Sequence, residues 1–417
     1  MSILIKNILF EQEETSIRIE KNKIAKIGKS LPEDADIIID GKDKAVVPGF
    51  VNGHTHAAMS LFRGFADDIV LEPWLQKIWD RETRLNKEIV YAGTKLACLE
   101  MIKNGVTSFT DMYWYASSAA EAVEEMGLRA KLCYVVFDQF NVQKREENIQ
   151  KIQEEHQKFK VFSDRIQFFL GPHALYTVST ELLKWCVEYA QIHNLDIQIH
   201  GAETQTECRT SLDRFGLTPI RYFDATGLLN PNLSIAHSIY VDDEEIELLA
   251  KHRVKVIYNV NSNLKIGSGT DFKYQAMKDA GVTVIMGTDG CCSSNNLDIL
   301  EAVKHAALVQ KGIHRNPEIL PAREAFQIIT ENGAELMNQP IGKIAEGYLA
   351  DLCLIDLKQS VFTPSLNHNF ISNLIYAANG SCIDTVICNG KILMQNRVVE
   401  GEQEILKQAQ KAAERFF

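Results

Sequence analysis

Pro48-Gly49-Phe50-Val51-Asn52-Gly53-His54-Thr55-His56 carries an apolar run into two histidines one residue apart. Side chains of a strand alternate with period two, so His54 and His56 point to the same side. Seven further apolar runs follow: Thr107–Met112, Leu132–Phe137, Ile166–Leu170, Ile197–Ile199, Leu233–Ala236, Val254–Tyr258 and Val282–Met286. With Ala45–Val51 as the first, eight strands are predicted. Between them lie segments of helical periodicity, among them Glu88–Lys103, Ala116–Met126, Thr180–His193, Glu244–Lys251 and Leu297–Gln310. Eight strands each followed by a helix predict an α/β chain with a (β/α)₈ barrel. An open parallel sheet has the same periodicity, and the placing of the polar residues favours the barrel.

The two ends of the chain differ from this middle. Ile3–Leu9, Ser16–Glu20, Lys23–Gly28 and Asp36–Asp40 read as short strands, and so do Asp351–Asp356, Thr385–Cys388 and Lys391–Met394. Asn389-Gly390 between the last two is a hairpin signal, because both residues tolerate positive φ. A small composite β-sandwich domain built from residues 1–48 and 350–417 is expected, closed by a helix over Glu402–Phe416, around a barrel of residues 49–349. The net charge of -11 disfavours nucleic acid and anionic membranes as partners. No apolar run is long enough to cross a bilayer, and the N-terminus does not read as a signal peptide. Nine cysteines without C-x-x-C spacing fit a reducing cytoplasm.

Barrels place their chemistry where the strands end. Beyond the first strand stand His54 and His56, beyond the fifth His200, beyond the sixth His237, and beyond the eighth Gly287-Thr288-Asp289-Gly290. One histidine at a strand end is ordinarily a hydrogen-bonded one, and one Gly-Thr-Asp-Gly is ordinarily a turn. Four such features at four strand ends point to a shared divalent metal, zinc first, with Fe²⁺ or Mn²⁺ as alternatives. Glu203, three residues past His200, reads as a general acid/base on a metal-held water; elsewhere it would be a solvated helix-start glutamate.

These motifs in this order, with Phe62-Arg63-Gly64, Glu72-Pro73-Trp74-Leu75, Asn104-Gly105-Val106-Thr107, Gly171-Pro172-His173 and Ser262-Asn263-Leu264-Lys265, resemble the amidohydrolase superfamily. The branch most similar holds the methylthioadenosine/S-adenosylhomocysteine deaminases, the 5′-deoxyadenosine deaminases and the s-triazine hydrolases. The fourth run, Ile166 to His173, has no lysine of the kind that bridges two metals in dihydroorotases. The resemblance therefore implies one metal, held by His54, His56, His200 and Asp289. It further implies hydrolytic deamination of an adenine nucleoside by metal-activated hydroxide. His237 would orient the hydroxide, Asp289 would take its proton, and Glu203 would protonate the ring nitrogen, as in zinc deaminases of unrelated fold. For the substrate it implies a lid at Trp74, ribose hydroxyls on Glu82, the purine on His173, and Arg145 reaching the ribose side.

Two departures stand out. Tyr134 occupies the place of an arginine that holds the amino-acid carboxylate of S-adenosylhomocysteine, and tyrosine cannot form that bidentate pair. Preference is expected to move toward methylthioadenosine, 5′-deoxyadenosine or adenosine, unless another loop supplies a cation. Tyr258-Asn259-Val260-Asn261-Ser262 replaces a usual His-Asn-Pro, a change of loop shape. The competing expectations are a deaminase or chlorohydrolase of a free heterocycle (guanine, cytosine, pterin or s-triazine) and a non-catalytic scaffold, either of them open to homo-oligomer formation.

Overall fold

The computed structural model of the chain describes residues 1–366 and 368–417, with every side chain among them except that of Glu72. The barrel strands are β1 (Phe50–Thr55), β2 (Val106–Tyr113), β3 (Arg129–Val136), β4 (Ile166–Phe168), β5 (Ile197–Gly201), β6 (Leu233–His237), β7 (Lys255–Tyr258) and β8 (Val284–Met286). Parallel ladders join β1 to β4 in one arc and β5 to β8 in another. Backbone bonds draw the arcs together. Leu170 N donates to Asp196 O and Gln198 N to Leu170 O, both at 2.9 Å, while Asp289 N donates to His54 O at 3.0 Å. Helices follow the strands and cover the ring, making the (β/α)₈ barrel.

The run Ala45–Val51 is two strands rather than one. Lys44–Pro48 pairs antiparallel with Leu352–Asp356 in the terminal sheet, and β1 begins only at Phe50. The chain changes partners at Gly49, whose N–H goes to Asp351 O while that of Phe50 goes to Gly105 O. A Cβ on Gly49 would collide with the Thr107 hydroxyl, so the crossing requires glycine.

The terminal sheet runs Lys391–Met394, Ile383–Cys388, Leu352–Asp356, Lys44–Pro48, Ser2–Phe10, Glu13–Glu20 and Lys23–Gly28, with Ile37–Asp40 beside Ser2–Phe10. Alternation assigns its faces. Val46, Leu352 and Leu354 join Ile3, Ile5, Ile17 and Ile19 in the sheet's own core, whereas Ala45, Val47, Cys353 and Ile355 join the barrel's. Period two thus welds both ends of the chain to the barrel.

Two helices were not expected from the sequence. Leu71–Glu82 follows β1 and Val142–Lys158 follows β3. The second buries only Ile152 and Glu155, too little for an apolar stripe to show.

Candidate active site

His54 and His56 stand at the end of β1, His200 in β5, His237 at the end of β6, and Asp289 three residues beyond β8. His54, His56 and His200 bring one nitrogen each to within 4.8 Å of one another. The other nitrogen of each is already engaged. His54 Nδ1 donates to Gln198 Oε1 at 2.7 Å, His56 Nδ1 to Met112 O at 2.6 Å, and His200 Nδ1 to His173 O at 2.8 Å. Gln198 cannot present its amide nitrogen instead, because that nitrogen donates to Gly53 O at 3.1 Å. Each Nδ1 therefore carries a proton; Nε2 of His54 and of His200 turns a lone pair inward, while Nε2 of His56 faces Asp289.

Two of those lone pairs, on His54 and His200, meet at 3.2 Å. Tetrahedral ligands at about 2.0 Å from one Zn²⁺ lie roughly 3.3 Å apart. The donor set fits a single divalent cation. Asp289 lies beside it, with Oδ1 3.2 Å from His56 Nε2 and 3.7 Å from His54 Nε2.

Charge follows geometry. Burial and the neighbouring imidazoles push His54 down to about 3 and hold His200 well below the ordinary range, so both are neutral donors. Burial also opposes charging His56, but the Asp289 carboxylate outweighs it and lifts His56 to about 9. Burial would raise Asp289 as well; the hydrogen bond from His56 and the fields of His56, His54 and His237 hold it well below the carboxylate range. The proton between His56 and Asp289 occupies ground that a cation would take.

His237 differs in its tautomer. Its Nδ1 lies 2.9 Å from the Asn263 amide, and with Nδ2 donating to it the N–H stands on Nε2. That Nε2 lies 3.7 Å from Glu203 Oε2 and 4.0 Å from Asp289 Oδ2. Glu203 is buried, accepts from Ser268 Oγ at 3.2 Å, and has its carboxyl raised by burial against the pull of His237. Its turn is held by the carboxylate of Glu207, which accepts from Glu203 N at 2.7 Å. Ala202, His237, Ser238 and Asp289 all have φ between 51° and 77°. Left-handed backbone at the ends of β5, β6 and β8 is strain of the kind that collects at functional sites.

The cavity over this cluster is lined by Trp74, Glu82, His173, His200, Glu203 and Asp289, among others. Trp74 and Glu82 come from the helix Leu71–Glu82, and burial raises the Glu82 carboxyl. Burial brings His173 down to about 3, and its Nδ1 meets Thr177 Oγ1 at 3.0 Å. Arg145 is not among the lining residues. It donates to Glu181 Oε2 at 2.8 Å and would have to leave that carboxylate to reach a ligand. Sequence reasoning passed over Gln198, Asn263, Ser268 and Glu207. Asn263 sits within the Ser262-Asn263-Leu264-Lys265 motif, but nothing in a single sequence marks its partner.

A model of the amidohydrolase family matches residues 45–393. A 5′-deoxyadenosine deaminase of Methanoregula boonei is 42% identical, over 100% of this chain and 95% of its own. A 5-methylthioadenosine/S-adenosylhomocysteine deaminase of Archaeoglobus fulgidus is 43% identical, over 96% and 94%. Among solved structures, an adenosine deaminase of Xanthomonas campestris with bound zinc superposes with a TM-score of 0.93 at 29% identity, covering 100% of this chain and 98% of that one.

Proposed function

The chain belongs to the amidohydrolase family, and from that premise we propose that it hydrolyses the amino group from an adenine nucleoside, giving the inosine analogue and ammonia. What carries this reading is a cation-ready cluster beside a buried carboxylate that is not a ligand, in a chain whose 42–43% identical relatives are nucleoside deaminases. His54, His56, His200 and Asp289 would hold one divalent ion, zinc first, which when bound supplies a Lewis acid that makes water acidic near neutral pH. His237 donates its Nε2–H toward the attacking oxygen and sets its line of approach. Asp289 receives the proton released by the water. Glu203 gives a proton to the ring nitrogen beside the carbon under attack, so charge does not build on the heterocycle. The proton held by Asp289 passes to the amino group, the carbon–nitrogen bond breaks and ammonia departs, and the hydroxyl proton of the added oxygen returns to Glu203 as the carbonyl of the inosine analogue forms.

Glu82 accepts hydrogen bonds from the ribose hydroxyls, His173 meets the purine, and Trp74 covers both. Nine free cysteines, eight of them buried, support a reducing cytoplasmic setting.

Deamination rates settle the substrate class. Adenosine, 5′-deoxyadenosine, methylthioadenosine and S-adenosylhomocysteine are compared with guanine, cytosine and melamine by ammonia release. Nucleosides are expected to lead by about 10⁴ in kcat/KM, since a site built for hydroxyls rejects ligands that lack them. A free base or triazine turned over faster than every nucleoside would refute the proposal.

A further inference from the structure

Two cations from motifs of the sequence, Arg63 of Phe62-Arg63-Gly64 and Lys265 of Ser262-Asn263-Leu264-Lys265, are not among the residues lining the catalytic cavity. Both close on Asn295. Arg63 donates to its backbone carbonyl and Lys265 to its side-chain oxygen. Asn295 ends the short helix Cys291–Ser294 in left-handed conformation, at φ 67°, within the loop that carries Asp289.

The Lys265 ammonium has three N–H donors, and three acceptors surround it: the Asp67 carboxylate, Asn295 Oδ1, and Cys292 O at 3.3 Å. These groups come from three different loops. Asp67 stands after β1, Cys292 and Asn295 after β8, and Lys265 ends the helix Val260–Lys265 after β7. Two of the loops supply the chemistry. The loop after β8 brings Asp289. The segment after β7 brings the Asn263 amide to 2.9 Å from His237 Nδ1, and Ser268 Oγ to 3.2 Å from Glu203. Ser268 N donates to Asn263 O at 2.9 Å, which ties these two orienting residues together. Arg63 steadies the far side of the β8 loop: it pairs with Glu100, whose Oε1 accepts from Leu297 N at 2.9 Å.

The geometry assigns Lys265 as a positioning residue for the deamination proposed above, on which this inference rests. Its ammonium fastens the segment that orients His237 and Glu203 to the loop that carries Asp289. Charge-assisted hydrogen bonds are short and strong, so they fix the spacing of the two loops. Without them the same groups remain but their register loosens, and a misplacement of about 1 Å can cost roughly 10²-fold in rate. The nucleoside is held from elsewhere, by Trp74 and Glu82 on the helix Leu71–Glu82 and by His173 beyond β4. That helix has its own fastening, with Lys77 Nζ 3.0 Å from Phe65 O and 4.8 Å from the centre of the Phe65 ring. Loss of Lys265 therefore falls on kcat more than on KM.

The test replaces Lys265 by methionine, which keeps the apolar stem and removes the donors. With metal in excess and the best nucleoside of the screen, kcat for Lys265→Met is expected to fall about 10–100-fold while KM changes less than about threefold. Chelator competition reads the same loosening without turnover: Asp289, freed from its register, should hold metal about tenfold less tightly. The Lys265 side chain is 25% exposed, so a small amine can enter the gap left by its removal. Lys265→Arg, or propylammonium added to Lys265→Ala, should recover at least about fivefold of the lost rate. Asn295→Gly keeps the left-handed turn and removes the side-chain acceptor, and should lower kcat about threefold; should Lys265→Met not fold, Asn295→Gly decides alone. An unchanged kcat and metal affinity, a rise in KM that matches the fall in kcat, or a loss that neither arginine nor the amine repairs would overturn the inference while leaving deamination itself standing. Failure of the unchanged chain on every nucleoside would instead remove the reading beneath it.

Discussion

Four imidazoles share one small volume here, and the second nitrogen of each decides its work. His54, His56 and His200 spend Nδ1 on oxygen acceptors and turn Nε2 inward, where that of His56 meets Asp289; His237 has its Nδ1 met by the Asn263 amide and turns Nε2 toward Glu203 and Asp289. Position alone made His54, His56, His200, His237 and Asp289 legible, because burying so many polar side chains at the mouths of apolar strands is costly unless they share a ligand. Their orienting partners were not legible, since Gln198 and Asn263 meet them only in three dimensions. Glu203 yields a pH prediction. Burial raises its carboxyl, so the proton-bearing form persists below that raised value and is lost as pH climbs through it. Ser268 donates to Glu203 and favours the ionised form. Ser268→Ala should therefore raise that carboxyl further and move the alkaline fall of kcat/KM to higher pH. A profile that stays in place, or moves to lower pH, speaks against Glu203 as the donor. Glu203→Gln should keep the metal and lose about 10²–10⁴ in kcat, with metal content and turnover measured on the same sample.

At the level of elements, close approach rather than propensity explains what periodicity could not reveal. The break at Gly49 and the tightness of Gly287 depend on neighbours distant in sequence. A Cβ on Gly287 would collide with Asn259 Oδ1 and stand 3.0 Å from His54 Cβ. Gly287→Ala is expected to displace His54, weaken metal binding, and cost about 1–3 kcal/mol of stability; chelator-competition titration and denaturant unfolding measure the two effects. Metal affinity equal to that of the unchanged chain would show that the end of β8 does not press on His54. The helix Leu71–Glu82 does carry a short stripe, Leu71, Trp74, Leu75 and Ile78 at helical spacing, all lining the cavity. Charged and polar residues crowd the rest of it, and the sequence reading singled out only Trp74 and Glu82 as site residues there.

For the molecule as a whole, the count of eight runs and the alternating patterns at both ends were enough to give a barrel with a sheet from both termini. The Asn389-Gly390 turn keeps positive φ at both residues, and Cys388 pairs with Lys391 across it. Chain ends and barrel share one core through Ala45, Val47, Cys353 and Ile355, and the metal is expected to stabilise that whole unit. Saturation at about 1,000 times Kd adds roughly 4 kcal/mol, so chelation should lower Tm by several degrees, and restored zinc should return it.

The most direct measurement is anomalous X-ray diffraction at the metal edge, on crystals of the protein as purified. One ion per chain is expected, bonded to His54 Nε2, His56 Nε2, His200 Nε2 and a carboxylate oxygen of Asp289. Anomalous density elsewhere, or a metal-replete and active protein with no ion among those four side chains, would contradict the account.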